Sequence, residues 1–320
     1  MAVAGASFER DALADVTPLR VRAGFWGRLR KDRGAILGAA LVGLIILCAL
    51  FAGVMSNDIL RHGVNQVFGT EALNGFGLPD GPSSMFPFGA DLEGRDLMVR
   101  VFYGARTSLL IGVGGTALAL TIGVTIGLIG GYFGGFVDTL VARLTDIVLA
   151  LPLILIAIGL DASCGSTAQG CLAGTLKPGT SLVLIVITLF SWPYIARVIR
   201  GNVISLREEE FVEAARAAGA GDLRIIVTEI LPNLAGPIIV LATLQIPSNI
   251  MFEAVLSFLG VGVPDTTASW GAMLRDASGV FTVAWWLMVI PGAVLAATTL
   301  GFYLLGDGLR DALDARSGLR

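Results

Sequence analysis

The stretch AILGAALVGLIILCALFAGVM, residues 35–55, decides the class of fold because it runs the thickness of a membrane without one charged side chain. A helix needs about 20 mostly apolar residues to cross a bilayer, and it satisfies its own backbone there. The whole chain of 320 residues has the same character, with 15% charged and 55% hydrophobic residues and a mean hydropathy of +0.80. A soluble domain carries about 25% charge. The sequence therefore predicts an all-α polytopic membrane protein.

Five further stretches resemble the first in length and apolar character. Glycine and proline recur inside them, as at Gly123, Pro152 and Pro193. In a membrane bundle, small residues allow helices to approach closely, and proline is tolerated where neighbouring groups satisfy the freed carbonyls. We therefore predict six transmembrane helices. They lie at 35–55, about 107–132, about 137–160, 181–198, about 234–256 and 283–305.

Lys and Arg are distributed unevenly over the connections between these spans. If the N-terminus is cytoplasmic, sixteen basic residues fall on the cytoplasmic side and six on the other. Because basic residues favour cytoplasmic loops, we expect both termini in the cytoplasm. The predicted organisation is a cytoplasmic segment 1–34, an anchor helix 35–55, an extracytoplasmic segment 56–106, a core 107–306 and a cytoplasmic tail 307–320.

Signatures of catalysis do not occur in the sequence. It contains no GxxxxGK[ST], no GxSxG and no HExxH, and its single histidine is His62. A formal net charge of −3 also argues against a nucleic-acid partner. We expect a protein that is not an enzyme, binds no metal or cofactor, and has the lipid bilayer as its surroundings.

The longest connection on the predicted cytoplasmic side is SLREEEFVEAARAAGAGDLRIIVTEILPN, residues 205–233. Ser205 and Glu208 fit a capping box, and the following acidic residues suit a first helical turn. Four apolar residues then recur at i, i+3, i+4 and i+7, which predicts an amphipathic helix with one apolar stripe. These four residues are Phe211, Ala214, Ala215 and Ala218.

Glycine and proline delimit this short helix. Gly219 and Gly221 are expected to end it, Asp222 to cap the next helix, and Pro232 to lie in the first turn of the fifth span. One interpretation is a helix lying among lipid headgroups, but such helices favour Lys and Arg on their polar face. The run of glutamates at 208–210 favours a cytoplasmic protein partner instead.

The same connection carries a family resemblance. Glu213-Ala214-Ala215, Gly219 and Leu231-Pro232 resemble the EAA motif of ABC-importer permeases, although Glu229 stands where that family usually has Ile or His. The resemblance implies that segment 201–232 contains a coupling helix that docks in a groove of an ATP-binding subunit. The implied coupling residues are Glu210, Phe211, Glu213, Ala214, Ala215, Ala218, Gly219, Leu231 and Pro232.

Three more motifs resemble the second, or C-type, permease of dipeptide/oligopeptide (peptide/nickel) importers. They are FPFGADLEGRDLMVRVFYGARTSLLIG (86–112), FEAVLSFLGVGVPDTTASWGAML (252–274) and LLGDGLRDALDAR (304–316). The resemblance implies a type I ABC-importer permease bundle in a bacterial plasma (inner) membrane. The implied partners are a homologous B-type permease in a heterodimer, one or two ABC ATP-binding subunits that hold ATP and Mg, and an extracytoplasmic peptide-binding protein.

Other functions stay open at this stage. The implied cargo is a di- or oligopeptide, but nickel chelates, glutathione and some oligosaccharides are carried by importers with similar permeases. An ion-coupled secondary transporter is another class, although such proteins carry ionisable groups near the bilayer midplane, where this chain has almost none. A membrane-embedded enzyme would need a nucleophile–base pair or metal-ligand cluster that we do not find.

Several polar or aromatic residues near the predicted outer face have two interpretations. Glu253 has no base within a helical turn and either fixes or lines an external gate, or makes an interhelical contact. The turn 91–96 either binds a partner or pairs its own charges, and Trp285 and Trp286 are expected as interfacial anchors. The gate and pathway candidates are Glu253, Ser257, Phe258, Leu259 and Trp270, of which Trp270 also suits an anchor.

Two pairs of residues are candidates for local structural links. Asp146 follows Arg143 at i+3, a spacing at which the two charges can neutralise each other. Cys164 and Cys171 lie close together in a predicted external loop, where they are either a disulfide or two thiols.

Overall fold

Helices account for the regular structure of the part of the chain that the computed structural model describes, residues 25–165 and 179–313. Five of these helices are long and apolar enough to cross a membrane, and a bent pair supplies a sixth span. The predicted all-α polytopic fold is confirmed. The helices are α1 (Phe25–Leu29), α2 (Arg33–Val54), α3 (Leu97–Phe133), α4 (Gly135–Ala150), α5 (Leu153–Gly165), α6 (Thr180–Leu206), α7 (Glu210–Ala217), α8 (Ala235–Phe258), α9 (Trp270–Ala277) and α10 (Trp286–Leu313).

The two ends of the bundle differ in their connections. One end carries α7 and the short helical turns Asp222–Arg224, Ile225–Ile230 and Leu231–Asn233. Because several arginines lie there, we call it the basic end. The other end carries residues 60–96 and 259–285, including α9, and we call it the long-loop end.

The second span begins earlier than the sequence predicted. Helix α3 starts at Leu97 instead of near residue 107. Arg100 and Arg106 interrupt the apolar pattern of its first turns, which explains why the sequence placed the start later. In the structure Arg106 donates hydrogen bonds to two carbonyl oxygens of α2, at 2.5 and 3.0 Å. Arg106 therefore fastens α3 to α2 where the sequence suggested a loop.

The third predicted span, 137–160, is broken. Helices α4 and α5 meet at an angle of 75°. Leu151 ends α4 in an extended conformation, with φ −78° and ψ 133°. The break falls at Pro152, because proline has no N–H to donate and disfavours the helical conformation of the residue before it. Pro193, Pro247 and Pro291 lie inside continuous helices, as predicted.

Helices α3 and α6 form the closest pair in the bundle, and α3 turns a row of small residues toward α6. Gly123, Gly127 and Gly131 follow one another at intervals of four residues. A Cβ atom on Gly127 would lie 2.7 Å from the carbonyl oxygen of Ala196. Small residues at this spacing permit backbones to pack directly against each other in a membrane. This pair therefore forms the most extensive helix–helix contact in the described part of the bundle.

Candidate coupling and translocation sites

Helix α7 is a two-turn helix that lies against the basic end of the bundle. It begins at Glu210, and Glu209 is its N-cap residue in an extended conformation. The predicted capping box of Ser205 and Glu208 is wrong, because α6 continues past Ser205. Glu210 and Glu213 occupy the first turn, where a carboxylate interacts favourably with the helix dipole.

The predicted apolar stripe of α7 faces in two directions. Val212, which the stripe did not include, is fully buried, and Ala215 is half-buried beside it. Phe211 keeps 37% of its surface exposed, and Ala214 and Ala218 are also exposed. Val212 thus attaches the helix to the bundle and leaves a surface free for contact. The exposed residues of α7 and the turn after it are Glu210, Phe211, Glu213, Ala214, Arg216, Ala217, Ala218 and Gly219.

Gly219 ends this element, as predicted. Its φ of +82° is a left-handed conformation that glycine adopts without strain. The N–H of Gly219 donates to the carbonyl of Arg216, and the N–H of Ala220 donates to the carbonyl of Ala215, both at 3.0 Å. This pair of bonds is a Schellman motif. It turns the chain sharply back toward the bundle.

Two hydrogen bonds tie the connection around α7 to the end of α3. The hydroxyl of Tyr132 donates to Asp222 at 2.7 Å, and Arg207 donates to the carbonyl of Gly131 at 3.0 Å. Asp222 is not the predicted cap, because Gly221 holds the N-cap position of the turn that Asp222 begins. A polar cavity of about 320 Å³ lies beside this tie, and its walls are Tyr132, Arg207, Glu208, Glu213 and Arg216.

The remaining residues of the EAA motif lie in a separate turn. Leu231 is half-buried and Pro232 is exposed, and both belong to the short helix Leu231–Asn233. The fifth span, α8, begins only after that turn, so Pro232 precedes the span instead of lying within its first turn. Ile230 and Leu234 on either side are fully buried and anchor this turn to the cluster beneath α7.

Two ion pairs join α6 to α4 near the basic end. Arg197 contacts Asp146 at 2.5 Å, so the predicted pair of Arg143 with Asp146 is wrong. Arg200 forms a two-pronged contact with Asp138, in which its Nη2 donates to Oδ2 at 2.7 Å. Both partners lie on a neighbouring helix, where sequence spacing could not indicate them.

Glu253 is the centre of a hydroxyl cluster near the long-loop end. Its side chain is fully buried, and it accepts hydrogen bonds from three serines on different segments. Ser108 on α3 donates at 3.1 Å, Ser257 on α8 at 2.8 Å and Ser269 before α9 at 2.7 Å. The geometry favours the interhelical contact among the two interpretations from the sequence.

The other gate candidates separate into a buried and an exposed group. Trp270 is fully buried and donates from Nε1 to the carbonyl of Val101 at 3.0 Å, so it is not an interfacial anchor. Trp286 is buried as well, whereas Trp285 is 56% exposed. Phe258 and Leu259 are exposed beside a shallow apolar pocket. Ser257 and Trp270 therefore hold α9 in place, and only Phe258 and Leu259 present a surface.

An ion-pair group fastens α9 to the loop that precedes it. Arg275 donates to Asp265 at 2.6 Å and to Asp276 at 3.1 Å. Burial raises the pKa of the Asp276 carboxyl, because the charged form loses water, and the nearby Arg275 opposes that shift. The segment after α8 is thereby held by charge as well as by packing.

The turn before α3 pairs its own charges. Arg95 contacts Asp91 at 2.6 Å and Glu93 at 2.5 Å. Asp96 is the N-cap of α3 and also contacts Nδ1 of His62 at 2.6 Å. The interpretation of a salt-bridged turn is confirmed, and the structure adds His62 to it.

A cavity of about 500 Å³ opens at mid-depth between α5, α6, α8 and α10. Asn249 on α8 organises its polar wall, accepting from Ser191 at 3.0 Å and from Gln245 at 3.1 Å. Asn249 also donates to Thr116 of α3 at 2.9 Å. None of the lining residues within the described chain is charged. They are Leu153, Ile187, Phe190, Ser191, Tyr194, Leu241, Leu244, Gln245, Ser248, Asn249, Phe252 and Tyr303.

Sequence reasoning missed this cavity. Its polar residues come from separate helices and are uncharged, so no local spacing indicates them. Within residues 25–165 and 179–313, no group of three or more His, Cys, Asp or Glu side chains is placed to hold a metal ion. Cys164 is buried, while Cys171 lies outside the described residues, so the proposed disulfide stays a prediction.

Comparison with known proteins agrees with these observations. Residues 119–318 match the family described as binding-protein-dependent transport system inner membrane component, and residues 22–66 match the N-terminal TM domain of oligopeptide transport permease C. The glutathione transport system permease protein GsiD of Escherichia coli O6:K15:H31 (strain 536 / UPEC) is 38% identical over 309 residues, which cover 96% of this chain and 95% of GsiD. GsiD of Shigella boydii serotype 4 (strain Sb227) has the same identity and coverage.

A solved structure shares the fold. A chain of the MetNI methionine ABC transporter, in its CY5 native crystal form, superposes with a TM-score of 0.55 at 17% identity, covering 68% of this chain and 97% of that one. The fold and these matches define a multi-pass permease subunit of an ABC importer. The chain belongs to the family of binding-protein-dependent transport system inner membrane components, and the predicted resemblance is confirmed.

Proposed function

We propose that this permease subunit moves peptides across the membrane with energy from ATP that separate subunits hydrolyse. The observation that carries the proposal is the exposed surface of α7, attached to the bundle through buried Val212. An exposed apolar surface bordered by Glu210 and Glu213 suits a protein groove better than anionic lipid headgroups. In this proposal α7 is the coupling helix, and its EAA residues contact the ATP-binding subunit.

The proposed orientation places the basic end in the cytoplasm. Arg207, Arg216 and Arg224 lie at this end, together with the start of α2 and the end of α10. Basic residues favour the cytoplasmic side of a membrane. Both chain termini would then be cytoplasmic, and the long-loop end would face the binding protein outside.

Membership of this family supports a proposal for the remaining subunits. We propose a heterodimer with a homologous B-type permease, one or two ABC ATP-binding subunits that hold ATP and Mg, and an extracytoplasmic peptide-binding protein. In this assembly the chain is non-catalytic. Its contribution is mechanical, because the Tyr132–Asp222 hydrogen bond and the close α3–α6 packing link α7 rigidly to the spans.

The proposed cargo is a di- or oligopeptide. Matching regions of oligopeptide permease C and of GsiD support this class, since glutathione, the cargo in GsiD's name, is itself a tripeptide. The alternative within the same transport role is another cargo, namely glutathione, a nickel chelate or an oligosaccharide. An ion-coupled carrier is disfavoured, because it would need charged groups near mid-depth, where the described cavity is lined by uncharged residues.

The test is ATP-dependent uptake by the whole complex in proteoliposomes, with radiolabelled Ala-Ala-Ala and glutathione as probes. Glu213→Lys places a positive charge on the exposed surface of α7 and should abolish uptake while the chain still inserts. Asp307→Lys makes the same charge reversal at an exposed position of α10 and should leave uptake near the wild-type rate. Normal uptake by Glu213→Lys would remove the coupling role from α7.

A further inference from the structure

The polar wall of the mid-depth cavity is built from side chains that converge from three helices. Asn249 lies at its centre and bonds to Ser191 on α6 and to Thr116 on α3. Gln245, one turn away on α8, donates to both Asn249 at 3.1 Å and Ser191 at 3.3 Å. Asn249 and Thr116 are each 2% exposed. Such a network is costly to place inside a membrane bundle unless its groups are paired.

The network leaves hydrogen-bonding capacity at the cavity surface. The N–H groups of Gln245 are used internally, and its carbonyl oxygen has no hydrogen-bond partner in the described chain. The hydroxyl of Tyr194 likewise has none there, and Tyr194 is 52% exposed. The cavity therefore offers an acceptor from Gln245 and a donor or acceptor from Tyr194.

The rest of the cavity lining is mainly apolar. Ile187, Phe190, Leu241 and Phe252 supply apolar and aromatic surface around the polar wall. Ligand cavities commonly measure about 300–1,000 Å³ and combine apolar walls with a few polar groups, and this one is about 500 Å³. Since none of its described lining residues is charged, it has no partner for a free amino or carboxyl terminus.

We propose that this cavity is a cargo-contact subsite that binds an uncharged backbone amide of the peptide, with Gln245 as the main hydrogen-bonding residue. The inference rests on the proposed function, because it assumes that the cargo is a peptide. A neutral amide pairs with the Gln245 carboxamide, while the neighbouring apolar surface receives the peptide's side chain. Such a subsite would distinguish amides from other linkages but tolerate variation in sequence.

The test compares two probes in proteoliposomes that contain the whole complex. The probes are radiolabelled Ala-Ala-Ala and its analogue with one amide replaced by an ester, each supplied at a saturating concentration of loaded binding protein. Gln245→Met preserves the length of the side chain and removes its hydrogen bonds. We expect the preference for the amide over the ester to fall about fivefold, the effect of one net hydrogen bond.

Matched variants make the outcome decisive. Asn202→Leu removes an amide whose hydrogen bond, among the described residues, is to Val198 of its own helix outside the cavity, and it should keep the wild-type preference. Gln245→Leu, a second apolar replacement of the same side chain, decides the matter if Gln245→Met does not assemble. An unchanged preference in an assembled variant overturns the inference alone. Failure of the wild-type complex to transport either probe overturns the proposed function, and the inference falls with it.

Discussion

Glu253 joins three segments through single hydrogen bonds, and its replacement tests how much that cluster stabilises the fold. Glu253→Leu would leave the hydroxyls of Ser108, Ser257 and Ser269 without their acceptor. An unpaired buried polar group costs about 1–3 kcal/mol. We expect a loss of about 3 kcal/mol in the free energy of unfolding, measured with denaturant in detergent.

Glu253→Gln separates hydrogen bonding from other effects of the same change. Glutamine keeps a carbonyl acceptor and can donate to a serine whose hydroxyl rotates, so about 1 kcal/mol should be lost. Asp307→Leu, at an exposed position, should change stability by less than about 0.5 kcal/mol. Equal stability of Glu253→Leu and the wild type would contradict a structural role for the cluster.

Tyr132 offers a second test, directed at transmission between α7 and the spans. Tyr132→Phe removes the hydroxyl that donates to Asp222, a hydrogen bond with a net contribution of about 1 kcal/mol. We expect ATP hydrolysis to continue while the amount of cargo moved per ATP decreases. Tyr103→Phe is the matched control, because no hydrogen bond of its hydroxyl is found in the described chain. If Tyr132→Phe moved the same amount of cargo per ATP as the wild type, the Tyr132–Asp222 hydrogen bond would not transmit motion.

The sequence revealed which residues were unusual but not what they contact. Glu253 stood out because an acid within a span is rare, yet two of its three serine partners lie on other segments. Asp146 was assigned to Arg143 by the i, i+3 rule, and the structure pairs it with Arg197 on the neighbouring helix α6. Sequence spacing predicts contacts within one helix, whereas these partners lie on other segments and depend on how the helices pack.

At the level of helices, the α3–α6 contact depends on the absence of side chains. A Cβ on Gly127 would lie 2.7 Å from a carbonyl oxygen and 2.9 Å from Cβ of Ile199. Gly127→Leu must separate the two helices, and overpacking of this kind costs about 1–3 kcal/mol or more. We expect a lower midpoint of thermal unfolding and reduced assembly with partner subunits.

A second glycine of α3 provides the comparison. A Cβ on Gly114 would meet only Leu184, at an ordinary distance of 3.4 Å. Gly114→Ala should therefore leave the unfolding midpoint within the error of the wild type. If Gly127→Leu behaved in the same way, direct backbone contact would not explain the close pairing of these helices.

Apolar length alone was enough to locate the spans, because a helix that crosses a bilayer needs a minimum run of apolar residues. It could not locate their ends. Helix α3 extends through Arg100 because that charge contacts Asp91 at 3.4 Å and Asn65 at 3.1 Å, which the sequence does not reveal. Proline proved equally dependent on context, since Pro152 breaks a span while Pro193 does not.

For the whole molecule, orientation in the membrane is the decisive prediction. Phe76 at the long-loop end is 92% exposed, and Leu223 at the basic end is 75% exposed. Single cysteines at these positions, in a chain without its native cysteines, should react differently with a membrane-impermeant maleimide. We expect Phe76→Cys to be labelled in intact spheroplasts and Leu223→Cys only after permeabilisation. The reverse pattern would invert the proposed topology.

The mid-depth cavity is a property of the whole assembly of helices that no segment predicted. Ser191, Gln245 and Asn249 are ordinary polar residues when considered one helix at a time. They form one polar wall only where α6 and α8 meet. That contact depends on the packing of α3 between its neighbours. The EAA-like residues, by contrast, were recognisable because they all lie within one connection of the sequence, residues 205–233.

The bend between α4 and α5 has a consequence for hydration. Pro152 and extended Leu151 interrupt the ladder of main-chain bonds, and the residues on both sides of the break are exposed. Hydrocarbon chains cannot replace such bonds, so a broken helix at this depth must adjoin solvent or another polypeptide. Leu153, directly after the break, lines the 500 Å³ cavity. The kink therefore places main-chain groups that lipid cannot pair at the edge of this cavity, where water or a neighbouring subunit has to supply their partners.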